Sequence, residues 1–174
     1  MFKKTVLVFV VIAACTIAQA AAPYVGGAVN YTSLKDAHDG GLSVEGQVGA
    51  AIGDALRGEM ALGYNREDLR GSTIKIWELF GNIYYDFNRD QKISPYILAG
   101  LGYGSAGKGN IFGSSSRDGA FLSQVGAGVA FPLNEKLLLD LKYRYQMSQD
   151  YHVSGTSSFK LTAHQIGLGI RYMF

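Results

Sequence analysis

The sequence predicts an all-β fold, an eight-stranded antiparallel up-and-down transmembrane β-barrel, and three observations carry this prediction. Apolar and polar residues alternate in eight segments after residue 22, and only an extended strand places such residues on opposite faces. The connections between these segments alternate between short and long. Glycines are concentrated on the face of the segments that also carries the charged residues.

Residues 1–20 precede the barrel and have the pattern of a secretory signal peptide. A basic start is followed by an apolar stretch over residues 5–18 and by a small-x-small cleavage site that ends at Ala20. The apolar stretch is too short to span a bilayer of about 30 Å comfortably. We therefore expect a cleaved leader at 1–20 and a barrel domain at 21–174.

A lipoprotein leader is the alternative, with Cys15 lipidated as the first residue after processing. Cleavage there leaves an apolar region of only about residues 5–11, so the site at Ala20 is favoured. In the favoured case the single cysteine is removed with the leader, and neither a disulfide nor thiolate chemistry remains.

The charge of the chain argues against one class of partner. Lys3 and Lys4 account for the whole excess of 16 basic over 14 acidic residues, so the chain after the leader is formally neutral. Nucleic-acid binding needs a basic surplus gathered on one face, and we expect no nucleic-acid partner.

The alternation predicts where the strands and their connections lie. Predicted strands cover residues 23–34, 42–52, 56–65, 73–87, 93–104, 119–132, 137–149 and 159–174. Tight polar turns are 53–55, 88–92 and 133–136, and longer connections are 35–41, 66–72, 105–118 and 150–158. Short periplasmic turns and longer external loops are typical of outer-membrane barrels. We therefore expect both termini in the periplasm, four external loops, and a location in the outer membrane of a Gram-negative bacterium, in contact with its lipid.

The glycines indicate which face of the sheet lies inside the barrel. A solvent-facing sheet surface has no reason to lose side-chain volume, whereas side chains from all eight strands share the narrow lumen of a small barrel. We therefore place the charged face inward and the apolar face against lipid. A soluble, periplasmic, lipocalin-like binder with the opposite arrangement is the alternative. Glycines on the charged face are Gly26, Gly49, Gly63, Gly100, Gly102, Gly104, Gly126, Gly128, Gly167 and Gly169.

The charges on the inward face are nearly balanced. Buried charges persist only when they are paired, so we expect a salt-bridge network that plugs the lumen. Apolar residues on this face are scattered among the charges, which favours filling over a conduit; a small-solute channel remains the alternative. The predicted network residues are Glu45, Arg57, Glu59, Glu78, Asp86, Asp140, Lys142, Arg144 and Arg171, and the filling residues are Tyr24, Phe80, Tyr84, Tyr96 and Leu98.

Aromatic residues are predicted near both rims of the outward face, as in the two girdles of a membrane barrel. The external girdle comprises Tyr31, Tyr64, Trp77, Tyr103, Phe121 and Tyr145. The periplasmic girdle comprises Tyr85, Phe87, Phe131, Tyr172 and Phe174.

Residues 100–110, GLGYGSAGKGN, match two phosphate-binding patterns that the context excludes. A P-loop needs Ser or Thr after Lys108, where Gly109 stands, and both patterns require a following helix that the sequence does not offer. We therefore predict no cofactor. We also predict no metal site, because His38 between two aspartates on a glycine-flanked loop is typical of a solvated turn.

An enzyme that modifies outer-membrane lipid is a further alternative. A deacylase needs a Ser nucleophile, a His base and an acidic residue that orients it. His152 and Ser154 have suitable spacing, but no acidic residue follows them before the C-terminus, and His164 has no Ser beside it. We expect a protein that is not an enzyme.

Four segments resemble the OmpA-type and opacity-type outer-membrane β-barrel proteins, and the resemblance extends over essentially the whole chain after the leader. They are FGNIYYDF at 80–87, SPYILAGLGYG at 94–104, LDLKYRY at 139–145 and GLGIRYMF at 167–174. In that family a C-terminal strand ending in Phe is read by the barrel-assembly machinery. The resemblance therefore implies this partner and a signal at Ile170, Tyr172 and Phe174.

The resemblance also implies a function at the external loops. Members include adhesins and host-factor binders that act through these loops, and others with structural roles. We expect a non-enzymatic surface protein whose loops bind a host or extracellular factor or stabilise the envelope, although the loops are modest in length. The expected loop contacts are Lys35, Asp36, His38, Arg66, Arg70, Lys108, Arg117 and His152.

Overall fold

The computed structural model describes residues 22–34, 40–69, 72–87, 92–107, 118–148 and 162–174. Its eight strands form one closed antiparallel barrel in chain order, which confirms the predicted fold class. The strands are β1 (Pro23–Leu34), β2 (Gly40–Ala51), β3 (Leu56–Leu69), β4 (Ser72–Asp86), β5 (Ser94–Gly107), β6 (Asp118–Pro132), β7 (Leu137–Ser148) and β8 (Thr162–Met173). Within the described residues, no helix is long and apolar enough to cross a membrane.

Closure of the barrel leaves its first and last strands without a free edge. Val25 of β1 lies opposite Val48 of β2 on one side and opposite Tyr172 of β8 on the other. At the end of this seam the amide of Phe174 donates to the carbonyl of Pro23 at 3.1 Å. Because every strand is paired on both sides, the backbone groups within the barrel wall satisfy one another, as a lipid environment requires.

The rim at which β1 begins and β8 ends is built from tight turns. The amide of Ile52 donates to the carbonyl of Leu56 at 2.8 Å, and Gly53 between them has a φ of 133°, which L side chains rarely adopt. In another turn, Oδ1 of Asn134 accepts from the amides of Lys136 and Leu137 at 2.9 and 2.8 Å. By the general asymmetry of outer-membrane barrels, this rim is the periplasmic one.

At the opposite rim, strands β2 to β6 extend further than the sequence predicted. The predicted loop at 66–72 is largely strand, because β3 continues to Leu69, which lies directly opposite Ser72 of β4. Apolar alternation in the sequence ends at residue 65, where the run Arg66-Glu67-Asp68 begins, whereas the pairing of the two strands continues past it. Similarly, β5 continues to Gly107. Connections 35–39, 108–117 and 149–161 lie outside the described residues.

Among the described residues, the outer wall of the barrel is mainly apolar and the charged side chains of the strands point inward. Leu101 and Phe121 on the outer wall are 75% and 71% exposed, whereas Lys142 and Arg144 in the lumen are each 3% exposed. An apolar outer wall is stable against lipid and unfavourable in water. The alternative of a soluble, lipocalin-like barrel with an apolar interior is therefore wrong.

The lumenal glycines make room for large side chains from neighbouring strands. A Cβ on Gly49 would overlap the phenol ring of Tyr24, and one on Gly128 would lie 2.5 Å from the phenol oxygen of Tyr96. Tyr24, Phe80 and Tyr96 each lie opposite a glycine of an adjacent strand, namely Gly49, Gly102 and Gly128. This is the physical reason for the glycine enrichment that the sequence shows on the charged face.

Candidate functional site: the lumenal polar network

Glu59 is the centre of a hydrogen-bonded cluster near the periplasmic end of the lumen. Its Oε2 accepts from the hydroxyl of Tyr24 at 2.8 Å, and its Oε1 accepts from the hydroxyl of Tyr84 at 2.6 Å. Asn82 Nδ2 donates to the same Oε1 at 3.3 Å. Three donors on one buried carboxylate stabilise its charge and fix its position. The two tyrosines, predicted only as filling residues, are therefore part of the polar network.

Arg57 supplies the positive charge of this periplasmic cluster. Its Nε donates to both carboxylate oxygens of Asp86 at 3.0 and 3.1 Å, and its Nη1 lies 3.8 Å from Glu59 Oε2. The guanidinium carbon also lies 3.7 Å from the centroid of the Tyr84 ring and 4.9 Å from that of Tyr96. The cation is thus held by two carboxylates and by aromatic faces, which is favourable for a desolvated guanidinium.

A second arginine pair lies at the same end of the lumen. Arg171 donates from Nε and Nη2 to the two carboxylate oxygens of Asp140, with the Nη2 bond at 2.9 Å. The guanidinium carbon of Arg171 lies 5.4 Å from the centroid of the Tyr24 ring. Tyr24 therefore contacts both arginines and connects the two pairs into one cluster.

The middle of the lumen is crossed by an ion pair between non-adjacent strands. Glu45 of β2 accepts from Lys142 Nζ and from Arg144 Nη1 of β7, each at 2.6 Å. Lys142 also donates to Oε1 of Gln47 at 3.2 Å. Strands β8 and β1 separate β7 from β2 in the sheet, so these side chains span the lumen rather than pair along the wall.

Glu78 lies above this crossing, toward the external rim, in a different environment. Gln165 Nε2 donates to Oε1 of Gln146 at 3.0 Å, and Gln146 Nε2 donates to Oε1 of Glu78 at 3.1 Å. This chain again connects strands across the lumen, through β8, β7 and β4. Among the residues that the structure describes, Glu78 forms no ion pair. All nine predicted network residues thus line the lumen, and Glu78 is held by amide groups alone.

Uncharged residues fill the space between the charged groups. Sequence reasoning identified the aromatic filling residues but not the amides, which follow the same two-residue period on the inward face. Gln124 Nε2, for example, donates to Asn82 Oδ1 at 2.6 Å. One apolar cluster comprises Tyr84, Tyr96, Leu98 and Ala130, and another comprises Ala61, Phe80 and Leu122.

No metal centre is present among the described residues, where no group of three or more His, Cys, Asp or Glu side chains is placed to hold an ion. His38 lies outside the described ranges, so the absence of a metal site at its loop stays a prediction from the sequence.

The remaining predicted residues lie at the two rims. Ile170, Tyr172 and Phe174 face outward at the periplasmic end and are 50%, 38% and 69% exposed. Arg66 lies within β3, opposite Lys75 of β4, and not in a loop. The other expected loop contacts lie outside the described residues: Lys35, Asp36, His38, Arg70, Lys108, Arg117 and His152.

One polar contact on the outer wall was not predicted. The hydroxyl of Tyr143 and Nδ1 of His164 are 2.6 Å apart, and the ring centroid of Tyr145 lies 5.1 Å from that of His164. Both tyrosines lie on β7 and the histidine on β8. The only sequence signal was a histidine at an outward position, because the register that brings these residues together is not readable from the chain.

An apolar outer wall around a polar lumen defines an outer-membrane type of β-barrel. Residues 5–174 match the family model described as outer membrane protein beta-barrel domain, and the chain belongs to this family. It is therefore a protein of the outer membrane of a Gram-negative bacterium, in contact with the lipid of that membrane.

Comparisons with individual proteins agree with this fold. Neisserial surface protein A is 21% identical, with a TM-score of 0.68 and coverage of 88% of this chain and 96% of that one. The Ail protein of Yersinia pestis, in complex with the heparin analogue sucrose octasulfate, is 18% identical, with a TM-score of 0.55 and coverage of 88% and 97%.

Curated relatives are also found at the level of sequence. An uncharacterized protein of Brucella abortus is 28% identical over 145 residues, which cover 61% of this chain and 51% of that protein. The chain spans about half the length of the curated relatives that it matches.

Proposed function

We propose that this protein is a non-enzymatic surface barrel, with a plugged lumen and external segments that bind extracellular factors or stabilise the envelope. The observation that carries the proposal is the ion pair of Glu45 with Lys142 and Arg144, which spans the lumen between non-adjacent strands. Solute passage would require these desolvated charges to separate, and separating a buried pair is unfavourable. If the barrel does not conduct, its function resides in the segments at its external rim.

The plugged lumen is tested by recording single-channel currents of the refolded full chain in planar bilayers. We expect no conductance steps from the native protein. A variant with Glu45→Ala, Lys142→Ala and Arg144→Ala, which empties the middle of the lumen, serves as the open control. Stable steps from the native protein at low voltage contradict the plug and favour the small-solute channel.

The external segments are tested by replacement. Segments 108–117 and 149–161 are exchanged, separately and together, for Gly-Ser linkers of equal length, with an exchange of the periplasmic turn 133–136 as the control. Ail is a structural neighbour whose complex contains a heparin analogue, so immobilised heparin and cultured host cells are suitable first probes. We expect the external exchanges to reduce binding and the periplasmic exchange to leave it unchanged. Equal binding by all variants contradicts a role of these segments in adhesion.

The absence of enzymatic activity is tested on the membrane itself. Lipid A from cells with and without the protein is compared by mass spectrometry, and we expect the same acyl and phosphate pattern in both. Support for this expectation is that His164 lies opposite Tyr145 and Ser33 and contacts the hydroxyl of Tyr143, and none of these described neighbours is the acidic residue that would orient a catalytic histidine. A protein-dependent change in acyl number favours the lipid-modifying enzyme.

The leader is tested on the purified protein. The mass of the intact chain is expected to correspond to cleavage after Ala20, with Ala21 as its first residue. A chain that begins at a lipidated Cys15 contradicts this expectation.

A further inference from the structure

His164 differs in chemistry from the other described side chains on the outer wall of the barrel. Outward positions of the strands, where side chains are described, are occupied by apolar, aromatic and small uncharged residues, with His164 as the exception. Among these described outward positions, His164 is the one side chain that can carry a positive charge near neutral pH. Because His164 faces lipid, it needs a polar or charged partner, and an acyl chain is neither.

The depth of His164 places it where lipid headgroups begin. It lies opposite Tyr145 of β7 on one side and opposite Ser33 of β1 on the other. One step toward the periplasm, Ile166 lies opposite Tyr143 and Tyr31 in the same way. Tyr31 and Tyr145 were predicted for the external girdle, so His164 belongs to the girdle and not to the apolar layer.

Tyr143 fixes which nitrogen of His164 is available. Its hydroxyl and His164 Nδ1 are 2.6 Å apart, so Nδ1 is engaged by Tyr143. A neutral ring with its hydrogen on Nε2 accepts from the hydroxyl at Nδ1, whereas a charged ring donates from Nδ1 to the hydroxyl oxygen, and in both of these states Nε2 carries a hydrogen. The ring of Tyr145, 5.1 Å away, holds the imidazole from the other side. Nε2 is consequently the donor that remains for a ligand.

We propose that Tyr143, Tyr145 and His164 form a binding site for a phosphate group of the glycolipid in the outer leaflet, that is, of lipid A. The site lies at the external rim, opposite the start of β1 and the end of β8, and the outer leaflet at this rim is built from phosphorylated glycolipid. A phosphate oxygen accepts from Nε2 of His164 in a charge-assisted hydrogen bond. Tyr143 is 46% exposed and Tyr31 is 52% exposed, so both offer ring surface to the sugar beside the phosphate. The site is independent of the plugged lumen and of the external segments.

The proposal is tested with the refolded full chain in neutral detergent by native mass spectrometry. Three probes are titrated: bisphosphorylated lipid A, the same lipid A after removal of its phosphates, and phosphatidylglycerol. We expect the native protein to retain bisphosphorylated lipid A about tenfold better than either of the others, as the loss of one hydrogen bond to a charged group implies. Equal retention of the dephosphorylated form, or preferred retention of phosphatidylglycerol, overturns the proposal.

Three variants locate the site. His164→Leu is expected to abolish the preference for phosphorylated lipid A, and Tyr143→Phe, which keeps the ring, to reduce it about threefold by freeing the imidazole to rotate. Tyr103→Phe, at an outward position on β5, is the matched control and should leave the preference unchanged. Heat-modifiable gel migration confirms that each variant is folded.

A second measurement keeps the test independent of folding defects in His164→Leu. In ¹⁵N-histidine spectra of the native barrel, lipid A is expected to shift the Nε2 signal of His164 while Nδ1 stays bonded to Tyr143. Retention of phosphorylated lipid A by Tyr143→Phe and Tyr103→Phe to the same extent, with no Nε2 shift in the native protein, overturns the proposal. Self-association through this wall that excludes lipid A overturns it as well.

Discussion

Glu45 on β2 and Arg144 on β7 form an ion pair at 2.6 Å although two other strands lie between theirs in the sheet. Lys142 binds the other oxygen of the same carboxylate. Glu45→Ala removes the acceptor and leaves two buried cations unpaired, so we expect a loss of about 3–5 kcal/mol in the free energy of unfolding. Urea unfolding in lipid vesicles measures it. The matched control is Glu135→Ala in an exposed periplasmic turn, which should change stability by less than about 0.5 kcal/mol.

Removing all three charges distinguishes the stabilisation by ion pairing from the cost of burying charged groups in the lumen. Glu45→Met combined with Lys142→Met and Arg144→Met replaces the ion pairs by apolar volume, and we expect it to be less destabilising than Glu45→Ala alone. If the triple variant loses as much stability as the sum of three single ones, the network stabilises the barrel by more than charge compensation.

The glycines of the two faces should respond differently to one added methyl group. A Cβ on lumenal Gly49 would overlap the phenol of Tyr24 and lie 2.6 Å from the carbonyl of Gly58, whereas one on outward Gly46 of the same strand meets nothing within 4 Å. We expect Gly49→Ala to lower the free energy of unfolding by about 1–3 kcal/mol. Gly46→Ala should change it by less than about 0.5 kcal/mol. Equal effects at the two positions would mean that the lumen has room to adjust.

The predictions at Glu45 and at the glycines show which features of the fold can be predicted from the sequence and which cannot. A period of two and a face rich in glycine are local properties, so the fold class and the inward position of Glu45 were predictable. The partner of Glu45 was not, because Lys142 is 97 residues away in sequence and only the closure of the barrel brings it near. The same holds for Tyr143 and His164, whose contact depends on the register of β7 and β8.

The errors have physical causes as well. The predicted loop at 66–72 assumed that a strand ends where apolar alternation ends, whereas β3 and β4 continue as a paired hairpin beyond the apolar layer. Tyr24 and Tyr84 were assigned to filling alone because a phenol ring has the volume for it. Only the structure shows that their hydroxyl groups donate to Glu59, because it places this carboxylate between them.

The C-terminal residue should matter for assembly in the cell more than for stability. Phe174 is 69% exposed on the outer wall, with its ring centroid 5.3 Å from that of Tyr172. We expect Phe174→Ala to refold normally in detergent but to reach the outer membrane in reduced amount, as measured by membrane fractionation. Phe121→Ala, a ring of similar exposure on β6, is the control. Equal membrane levels for both variants would contradict an assembly signal at the C-terminus.

The hydroxyl of Tyr84 can be separated from its ring by Tyr84→Phe. The hydroxyl donates to Glu59 at 2.6 Å, while the ring lies 3.7 Å from the guanidinium carbon of Arg57 and is preserved in phenylalanine. We expect a loss of about 1.5–3 kcal/mol in the free energy of unfolding, the usual contribution of a hydrogen bond to a charged group. The measurement is chemical unfolding in vesicles.

A neighbouring residue provides the control for this substitution. Tyr85→Phe alters the next residue of β4, which faces lipid and is 44% exposed, and it should change stability by less than about 0.5 kcal/mol. Tyr24→Phe removes a second donor from the same carboxylate, so the double variant with Tyr84→Phe should deviate from additivity. Additive effects would show that the two phenols act on Glu59 independently, and equal small losses at Tyr84 and Tyr85 would contradict a contribution of the Tyr84 hydroxyl.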